Sequence, residues 1–401
     1  MSTSPRPVAA PGPAAVDVVA HRHATLLPLL ADAALPAVRE ARRHGVHAHV
    51  ERHWRRGPHL RVRLSGDPEA LRPAAALVRD ALAGHVAAHP ARPDATPAEL
   101  LARAAAAGRA ELDPGPYGPV RPDGTVLAGP ADPAEDARLA RLLGGPGAVA
   151  VRAALLAAGT DALAASARVL LAAPAAAAAS DARVRVALAA VTAHAARFPT
   201  GAVDGHHTFR SHVEEFLHLH DPGGRVRARL DAQWLRHGDR VTAEVGRVVT
   251  AGPDGATGRA WAEWADRAWL LCPPAQARGE LPAAPGDEYR RRAAALDPAT
   301  ATAWDPAART YSDYHLGLRL VDYARGREGT VASYRFATNV LYRLLLLCEV
   351  TPLERLLAAH LLARAVTRLA GLPWDEPTPV APAPAVRHPA GRSTRPPRET
   401  R

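Results

Sequence analysis

Residues 46–64 hold the densest set of side chains that could bind or transfer charge. Arginine and histidine alternate there with apolar residues, and the members are Arg52, His53, Arg55, Arg56, His59, Arg61 and Arg63. A guanidinium group binds a carboxylate through two parallel hydrogen bonds and stays charged at any physiological pH. The stretch therefore predicts an anion-binding site, although the solvated basic face of a sheet edge would give the same pattern in an arginine-rich chain.

A second group of histidines lies in the segment TFRSHVEEFLHLH. His212 and Glu215 are three residues apart, and His218 and His220 follow them. Two ligands at this spacing can bind a metal on one helix face, but the sequence indicates no third ligand, and His218 and His220 fall on different faces. We expect surface or hydrogen-bonded histidines and no metal site. Cys272 and Cys348 are expected to be buried, reduced thiols, because the chain has no C-x-x-C motif.

Composition excludes several classes of chemistry. The chain has 401 residues, of which 92 are alanine, and all 50 of its basic residues are arginine. Without lysine it has no Schiff-base lysine and no phosphate-loop lysine. It also lacks the GxSxG, HExxH and GxGxxG motifs. Only 4% of residues are aromatic, so we discount the net charge of +10 and do not expect direct nucleic-acid binding.

No segment of the sequence resembles a membrane span or a signal peptide. Residues 1–14 lack an apolar core of the required length. The longest apolar stretch, around residues 169–179, contains Pro174 and is shorter than the roughly 20 residues that a bilayer needs. We expect a soluble, cytoplasmic protein with no membrane contact.

Hydrophobic periodicity predicts one β-hairpin within a mostly helical chain. Apolar and polar residues alternate in 46–50 and 59–64, which predicts two strands with one apolar and one cationic face. The residues 351–354 (TPLE) read as a helix N-cap, a first-turn proline and a capping-box glutamate, and this last helix should end at Gly371. Other helices are predicted at 25–44, 68–89, 96–110, 132–144, 147–197 with breaks near Gly159 and Pro174, 207–219, 225–250, 258–271, 276–296 and 332–349.

These elements predict an α+β fold, in which a small antiparallel β-sheet packs against a large, Ala-rich set of helices. Residues 1–14 and the Pro/Arg-rich residues 373–401 contain too few large apolar side chains to form a core. We therefore expect disordered tails at 1–14 and 373–401 and one folded domain over 15–372.

The run RHWRRGPHLRVRL (52–64) resembles the opening segment of the C-terminal domain of lantibiotic dehydratases, which also exists as a stand-alone protein in thiopeptide gene clusters. Further matches follow in the expected order: YGP (117–119) with PDGTV (122–126), TFRSHVEEFL (208–217), and SYRFATNVLYRLL (333–345) with TPLERLLAAHL (351–361). Together they extend from residue 46 to about residue 371.

The resemblance implies a role in the biosynthesis of ribosomally made, modified peptides. Its substrate would be a modified precursor peptide with leader and core, and the implied reaction eliminates glutamate from glutamylated Ser or Thr. The product is dehydroalanine or dehydrobutyrine, no metal or organic cofactor is needed, and a separate protein would glutamylate the peptide. Two alternatives remain open: a pyridine-forming aza-cycloaddition macrocyclase of thiopeptide maturation, and a non-catalytic module that binds leader peptide or a partner enzyme.

Elimination needs a base for the Cα proton and cations near the developing negative charge. On this interpretation Arg61, Arg63, His212 and Arg335 are catalytic candidates, and Arg52, His59, Arg210 and Asn339 are substrate-binding candidates. The family's elimination domains carry a histidine in an H-x-x-N-R-type stretch of a C-terminal helix, and Arg335 stands where that histidine would fall. Either His212 or His59 is then the base, or the reaction is not elimination. For Arg335 and Asn339, an ordinary polar helix face remains an alternative.

Overall fold

A computed structural model describes residues 14–91, 95–113, 115–173, 176–282, 286–320 and 322–374. Within these ranges, four strands form one antiparallel sheet in the order β2-β3-β1-β4. The strands are β1 (Ala14–His21), β2 (His47–His53), β3 (His59–Gly66) and β4 (Val126–Pro130).

Helices make up most of the remaining chain. The first helical segment consists of α1 (Leu27–Leu29), a π-helical turn (Leu30–Ala34) and α2 (Leu35–Arg43). The others are α3 (Pro68–Ala88), α4 (Pro97–Ala110), α5 (Pro133–Leu143), α6 (Pro146–Ala158), α7 (Thr160–Leu171), α8 (Ala176–Ala196), α9 (Ala202–His220), α10 (Arg225–Ala251), α11 (Gly255–Ala277), α12 (Asp287–Leu296), α13 (Pro298–Trp304), α14 (Asp313–Leu320), α15 (Glu328–Leu347) and α16 (Pro352–Leu369). The predicted α+β fold class is confirmed.

The hairpin predicted from residues 46–64 is present, and its two faces differ as expected. Strands β2 and β3 pair with Glu51 opposite Arg61 and His53 opposite His59. The apolar side chains of β3 are fully buried, and they are Leu60, Val62 and Leu64. Helix α3 packs on the sheet, whereas α5 and α6 supply charged groups to its polar face. Alternation therefore decides which side of the sheet carries the ionisable groups.

Two of the four strands and two short helices were not predicted. Strand β1 lies at the centre of the sheet between β3 and β4, but its sequence AAVDVVAH is short and interrupted by Asp17. The predicted continuous helix over 276–296 is wrong, because α11 ends at Ala277 and α12 begins at Asp287. Gly279 follows that end with a positive φ of 73°, a conformation that glycine adopts without steric cost.

The helical part packs around buried aromatic side chains and close alanine contacts. Trp261, Trp264, Tyr334 and Phe209 are almost completely buried. At Gly205 an added Cβ would lie 2.3 Å from the carbonyl oxygen of Ala195, so α9 can cross α8 this closely only with glycine there. Small residues thus bring α9, α8 and α16 together, and this arrangement positions the site described below.

The predicted tails fall almost entirely outside the described residues. Ala14 opens β1, and at the other end Trp374 packs against Arg210, so these two predicted tail residues contact folded elements. Among the described helices, no single one has the length and hydropathy of a membrane span, and only α5 and α6, bent by 98°, reach that threshold as a pair.

Candidate functional site

One side of α15 carries a row of polar groups that faces solvent. Arg335 and Asn339 are exposed, and Tyr342 and Arg343 are half-buried. Residues separated by three or four positions lie on the same side of a helix, so these side chains form one continuous row. The opposite side is in the core, where Tyr334, Leu341 and Leu345 are at most 1% exposed.

Side chains of α9 and α16 flank this row, because His212 and Arg355 both contact Tyr342. The Arg335 side chain is accessible to solvent, yet desolvation by the surrounding protein lowers the pKa of its guanidinium. Tyr342 is half-buried, and desolvation raises the pKa of its hydroxyl well above the ordinary value, with nearby Arg355 opposing the shift. Both shifts agree with a row that is partly enclosed by neighbouring helices.

His212 lies at one end of the row and is held there by Tyr342. Its Nδ1 and the Tyr342 hydroxyl share a hydrogen bond of 2.7 Å, and the Arg355 guanidinium lies 4.3 Å from the centre of the Tyr342 ring. We call this region the α15 cleft, defined by Arg335, Asn339, Tyr342 and Arg343 of α15, His212 of α9 and Arg355 of α16.

Burial and nearby positive charge keep the imidazole of His212 neutral at neutral pH. Burial, followed by the charges of Arg355 and Arg335, lowers the pKa of His212 to about 3. Neither arginine makes an ion pair with any residue in the described ranges. A neutral imidazole close to cations that can bind an anion is a candidate proton acceptor.

The same C-terminal end of the row also meets the β-hairpin. Arg52 donates a hydrogen bond of 3.3 Å to the carbonyl oxygen of Leu346 at the end of α15, and Arg343 pairs with Glu111 at 2.6 Å. Arg52 therefore joins the sheet to the α15 helix, and the cleft extends from α9 to the hairpin.

A stack of histidines fills the end of the hairpin. The rings of His53 and His59 lie 5.3 Å apart, and those of His21 and His59 lie 4.7 Å apart. Burial lowers the pKa of each of these three histidines to about 3. His59 is buried, and its Nδ1 is hydrogen-bonded to the carbonyl oxygen of Gly57 at 3.0 Å, so it is less accessible to a substrate than His212.

Arg61 and Arg63 point away from Leu60, Val62 and Leu64, as alternation predicts, but protein carboxylates already balance their charge. Arg61 pairs with Glu135 and lies 3.4 Å from Glu51. Arg63 pairs with Asp136 at 2.6 Å and lies 3.5 Å from Asp17. Neither is on an open convex surface, and neither offers its charge to a ligand as directly as Arg335 does.

Glu51 is the centre of this buried charge network. It accepts two hydrogen bonds from Arg152, of 3.1 and 2.7 Å, and lies 3.0 Å from Nε2 of His49. Burial alone would raise the pKa of Glu51, but Arg152 and Arg61 hold it well below its ordinary value. The polar face of the sheet is thus a layer of compensated charges between sheet and helices.

Arg210 lies on the other side of α9 from His212. Its guanidinium is 4.3 Å from the Tyr314 ring and 4.0 Å from the Trp374 ring, and it donates to the carbonyl oxygen of Trp374 at 2.5 Å. It is buried and connects α9, α14 and the end of the folded chain. The contacts indicate a packing role for Arg210 rather than contact with a ligand in the α15 cleft.

The structure therefore brings only part of the predicted set together. His212, Arg335 and Asn339 share the α15 cleft with Tyr342 and Arg355, two residues that the sequence analysis did not single out. Tyr342 lies seven positions after Arg335 in the same helical row, a spacing that could have indicated it.

His218 and His220 are exposed. No group of three or more histidine, cysteine or acidic side chains is arranged to hold a metal within the described ranges.

Comparison with known proteins identifies the family. The sequence profile described as lantibiotic biosynthesis dehydratase C-term matches residues 15–366, so the chain belongs to this family. No curated protein matches it. The pyridine synthase TbtD from thiomuracin biosynthesis superposes with a TM-score of 0.64 at 23% identity, over 89% of this chain and 99% of that one. TsrL superposes with a TM-score of 0.52 at 16% identity, over 89% of this chain and 95% of that one.

Family membership confirms the resemblance found in the sequence. It places the chain in a family of lantibiotic biosynthesis, which matures ribosomally made, modified peptides. At these identities the two solved structures establish a common fold. A common fold does not identify the reaction, which depends on the residues of the site.

Proposed function

We propose that the protein is a lyase that eliminates glutamate from glutamylated Ser or Thr residues of a precursor peptide. One observation carries the proposal: His212 of α9 is hydrogen-bonded to Tyr342 of α15, about two helical turns beyond Arg335, whose charge still acts on its imidazole. The resemblance implies a histidine near Arg335 in elimination domains, and on this proposal His212 takes over its role from the neighbouring helix. A separate glutamylating protein would supply the substrate.

The reaction needs three events that the α15 cleft can support. His212 takes the Cα proton, the electrons of the broken C–H bond form the Cα=Cβ double bond, and the Cβ–O bond breaks. Glutamate leaves as a carboxylate. A positioned base contributes about 10²–10⁴ in rate, and a cation or N–H donor at the developing charge contributes about 10²–10³. Arg335 and Arg355 are the cations nearest to His212 without a carboxylate partner among the described residues.

Substrate binding should make His212 a stronger base. Without substrate its pKa is about 3, because burial and the charges of Arg355 and Arg335 disfavour the imidazolium. A bound glutamyl group carries a free side-chain carboxylate, which would offset those charges. Its arrival raises the pKa of His212 towards the operating pH, where a general base is most effective.

The experiment supplies a glutamylated precursor peptide to the purified protein without ATP, tRNA or added metal. The expected products are free glutamate and a peptide that is one water lighter than its unmodified form. His212→Asn should lower kcat/KM by about 10²–10⁴, and Arg335→Gln by about 10²–10³. His218→Asn, on the same helix but exposed, is the matched control and should keep full activity. If His59→Asn abolishes turnover and His212→Asn does not, the base is assigned incorrectly.

A pyridine-forming aza-cycloaddition is the second candidate. Two observations favour it: the pyridine synthase TbtD is matched over 99% of its length, and α15 carries Arg335 where the resemblance implies the elimination histidine. The same preparation is therefore given a peptide with two dehydroalanines. Formation of a pyridine with loss of the leader, together with no reaction on glutamylated peptide, would replace the lyase assignment. Leader-peptide binding without either reaction would instead indicate a non-catalytic module.

A further inference from the structure

Helix α10 carries a straight row of arginines on its outermost side. Five exposed arginines and two exposed alanines follow each other there at helical spacing, and none of these positions is acidic. They are Arg225, Arg229, Ala232, Arg236, Arg240, Ala243 and Arg247. At about 100° per residue the five arginines fall within an arc of roughly 60°, and they extend over about 33 Å of helix. We call this surface the α10 arginine row.

Two of the three acidic residues of α10 pair with α16 rather than with the row. Asp231 pairs with Arg364 at 3.1 Å, and Asp239, which is largely exposed beside the row, pairs with Arg368 at 2.7 Å. The buried side of α10 packs on α16 through Leu230, Val241 and Val245.

Most of the row's arginines pair with no carboxylate in the described part of the chain. There, only Arg247 of the row makes an ion pair, with Asp254, and both partners are largely exposed. Arg225, Arg229, Arg236 and Arg240 make none with any residue that the structure describes. Guanidinium groups in this state concentrate positive potential along the helix.

We propose that the α10 arginine row binds an acidic peptide segment of the substrate polypeptide. The inference rests on the proposed function only in that the protein acts on a peptide. An elongated ligand with repeated carboxylates fits a straight row of guanidinium groups, because each pair can form two parallel hydrogen bonds. A second copy of this chain would bring like charges together. Residues 375–401, with five arginines against three acidic residues, also do not complement the row.

An exposed leucine beside the row favours a polypeptide over a nucleic acid. Leu235 is 84% exposed about 80° around α10 from Arg225, on the far side of Asp239; there it can contact an apolar side chain of a bound peptide but gains little from a phosphate backbone. The nearby aromatic residue, Trp234, is half-buried on the other side of α10, 5.8 Å from Arg364. The row therefore lacks a ring on which bases could stack.

The test measures fluorescence anisotropy of a labelled, glutamate-rich peptide with the full chain at low salt. The reversed-charge variant Arg229→Glu/Arg236→Glu should weaken binding about tenfold or more, because repulsion replaces attraction. The matched control is Arg259→Glu/Arg267→Glu, which changes net charge equally on the exposed side of α11. It should leave the dissociation constant within about twofold. Leu235→Ser should weaken binding by a smaller factor that added salt does not remove.

Two results would overturn the proposal. One is equal weakening by the control variant, because net charge would then explain the binding. The other is a duplex RNA of matched charge that binds more tightly than the peptide and loses affinity in the Arg229→Glu/Arg236→Glu variant. Turnover of a short core peptide without acidic residues should be unchanged in that variant. Failure of the lyase assay with intact peptide binding would refute the proposed reaction and leave this inference standing.

Discussion

At the scale of single residues, the hydrogen bond between Tyr342 and His212 orients the imidazole and occupies its Nδ1. The bond involves Nδ1 at 2.7 Å, so a tautomer with its proton on Nδ1 leaves Nε2 free as the base. We expect Tyr342→Phe to lower kcat about tenfold, the equivalent of one hydrogen bond of about 1.4 kcal/mol. KM should stay unchanged, because phenylalanine keeps the ring that Arg355 covers. A rise in KM with constant kcat would instead indicate a substrate contact.

The buried carboxylate of Glu51 depends on partners that the fold brings together. Its carboxylate faces Arg152 and Arg61, and all three side chains are nearly inaccessible to solvent. Glu51→Ala leaves two buried guanidinium groups short of a partner, so the free energy of unfolding should fall by about 3–5 kcal/mol. The control is Asp161→Ala, which breaks the exposed pair with Arg39 and should cost less than about 1 kcal/mol. Denaturant unfolding measures both, and equal losses would contradict this account.

At the scale of elements, two capping boxes of the same type differ in what else they hold. Thr96 and Glu99 cap α4 at an exposed site, and Thr351 and Glu354 cap α16. Glu354 also accepts hydrogen bonds from Arg183, of 2.8–3.0 Å, and from Ser180 at 2.7 Å.

Because both threonines make the same N-cap hydrogen bond, removal of either one should lower the free energy of unfolding by about 1 kcal/mol. The glutamates should not behave alike. Glu354→Gln should destabilise the protein more than Glu99→Gln, because it also weakens the contact between α16 and α8. Thermal or denaturant unfolding of the four single variants checks this, and equal effects of the two glutamate changes would show that the Arg183 contact contributes nothing measurable.

Local signals explain which elements were predictable. The hairpin was found because alternation is visible within a few residues, and the α15–α16 pair because a capping box marks its second helix. Strand β1 was missed because its neighbours β3 and β4 are distant in sequence and Asp17 interrupts its pattern. The carboxylates that neutralise Arg61 and Arg63 are 74 and 73 residues away. Only Glu51, opposite Arg61 in the hairpin, could have been found locally, and no local pattern could have shown that His212 meets Tyr342.

At the scale of the whole molecule, buried neutral histidines link stability to pH. Burial lowers the pKa of His194 and of His59 to about 3, and both side chains are at most 7% exposed. Below the ordinary value of 6.5 the unfolded chain binds protons that these folded histidines exclude. Stability is therefore complete above about pH 6.5 and falls as the pH decreases towards 3. Each fully linked histidine contributes up to about 1.4 kcal/mol per pH unit.

The variant that isolates this effect is His194→Phe, because phenylalanine can keep the ring stacked on Tyr334 at 4.2 Å. It removes the hydrogen bond to Thr338, so it should lower stability at pH 7.5. It should also flatten the decline between pH 6 and pH 4.5 by up to about 1.4 kcal/mol per pH unit. Urea unfolding at several pH values measures both terms, with the exposed His218→Phe as the control that keeps the original slope. An unchanged slope in His194→Phe would show that acid destabilisation originates in other groups, such as the carboxylates of the sheet's polar face.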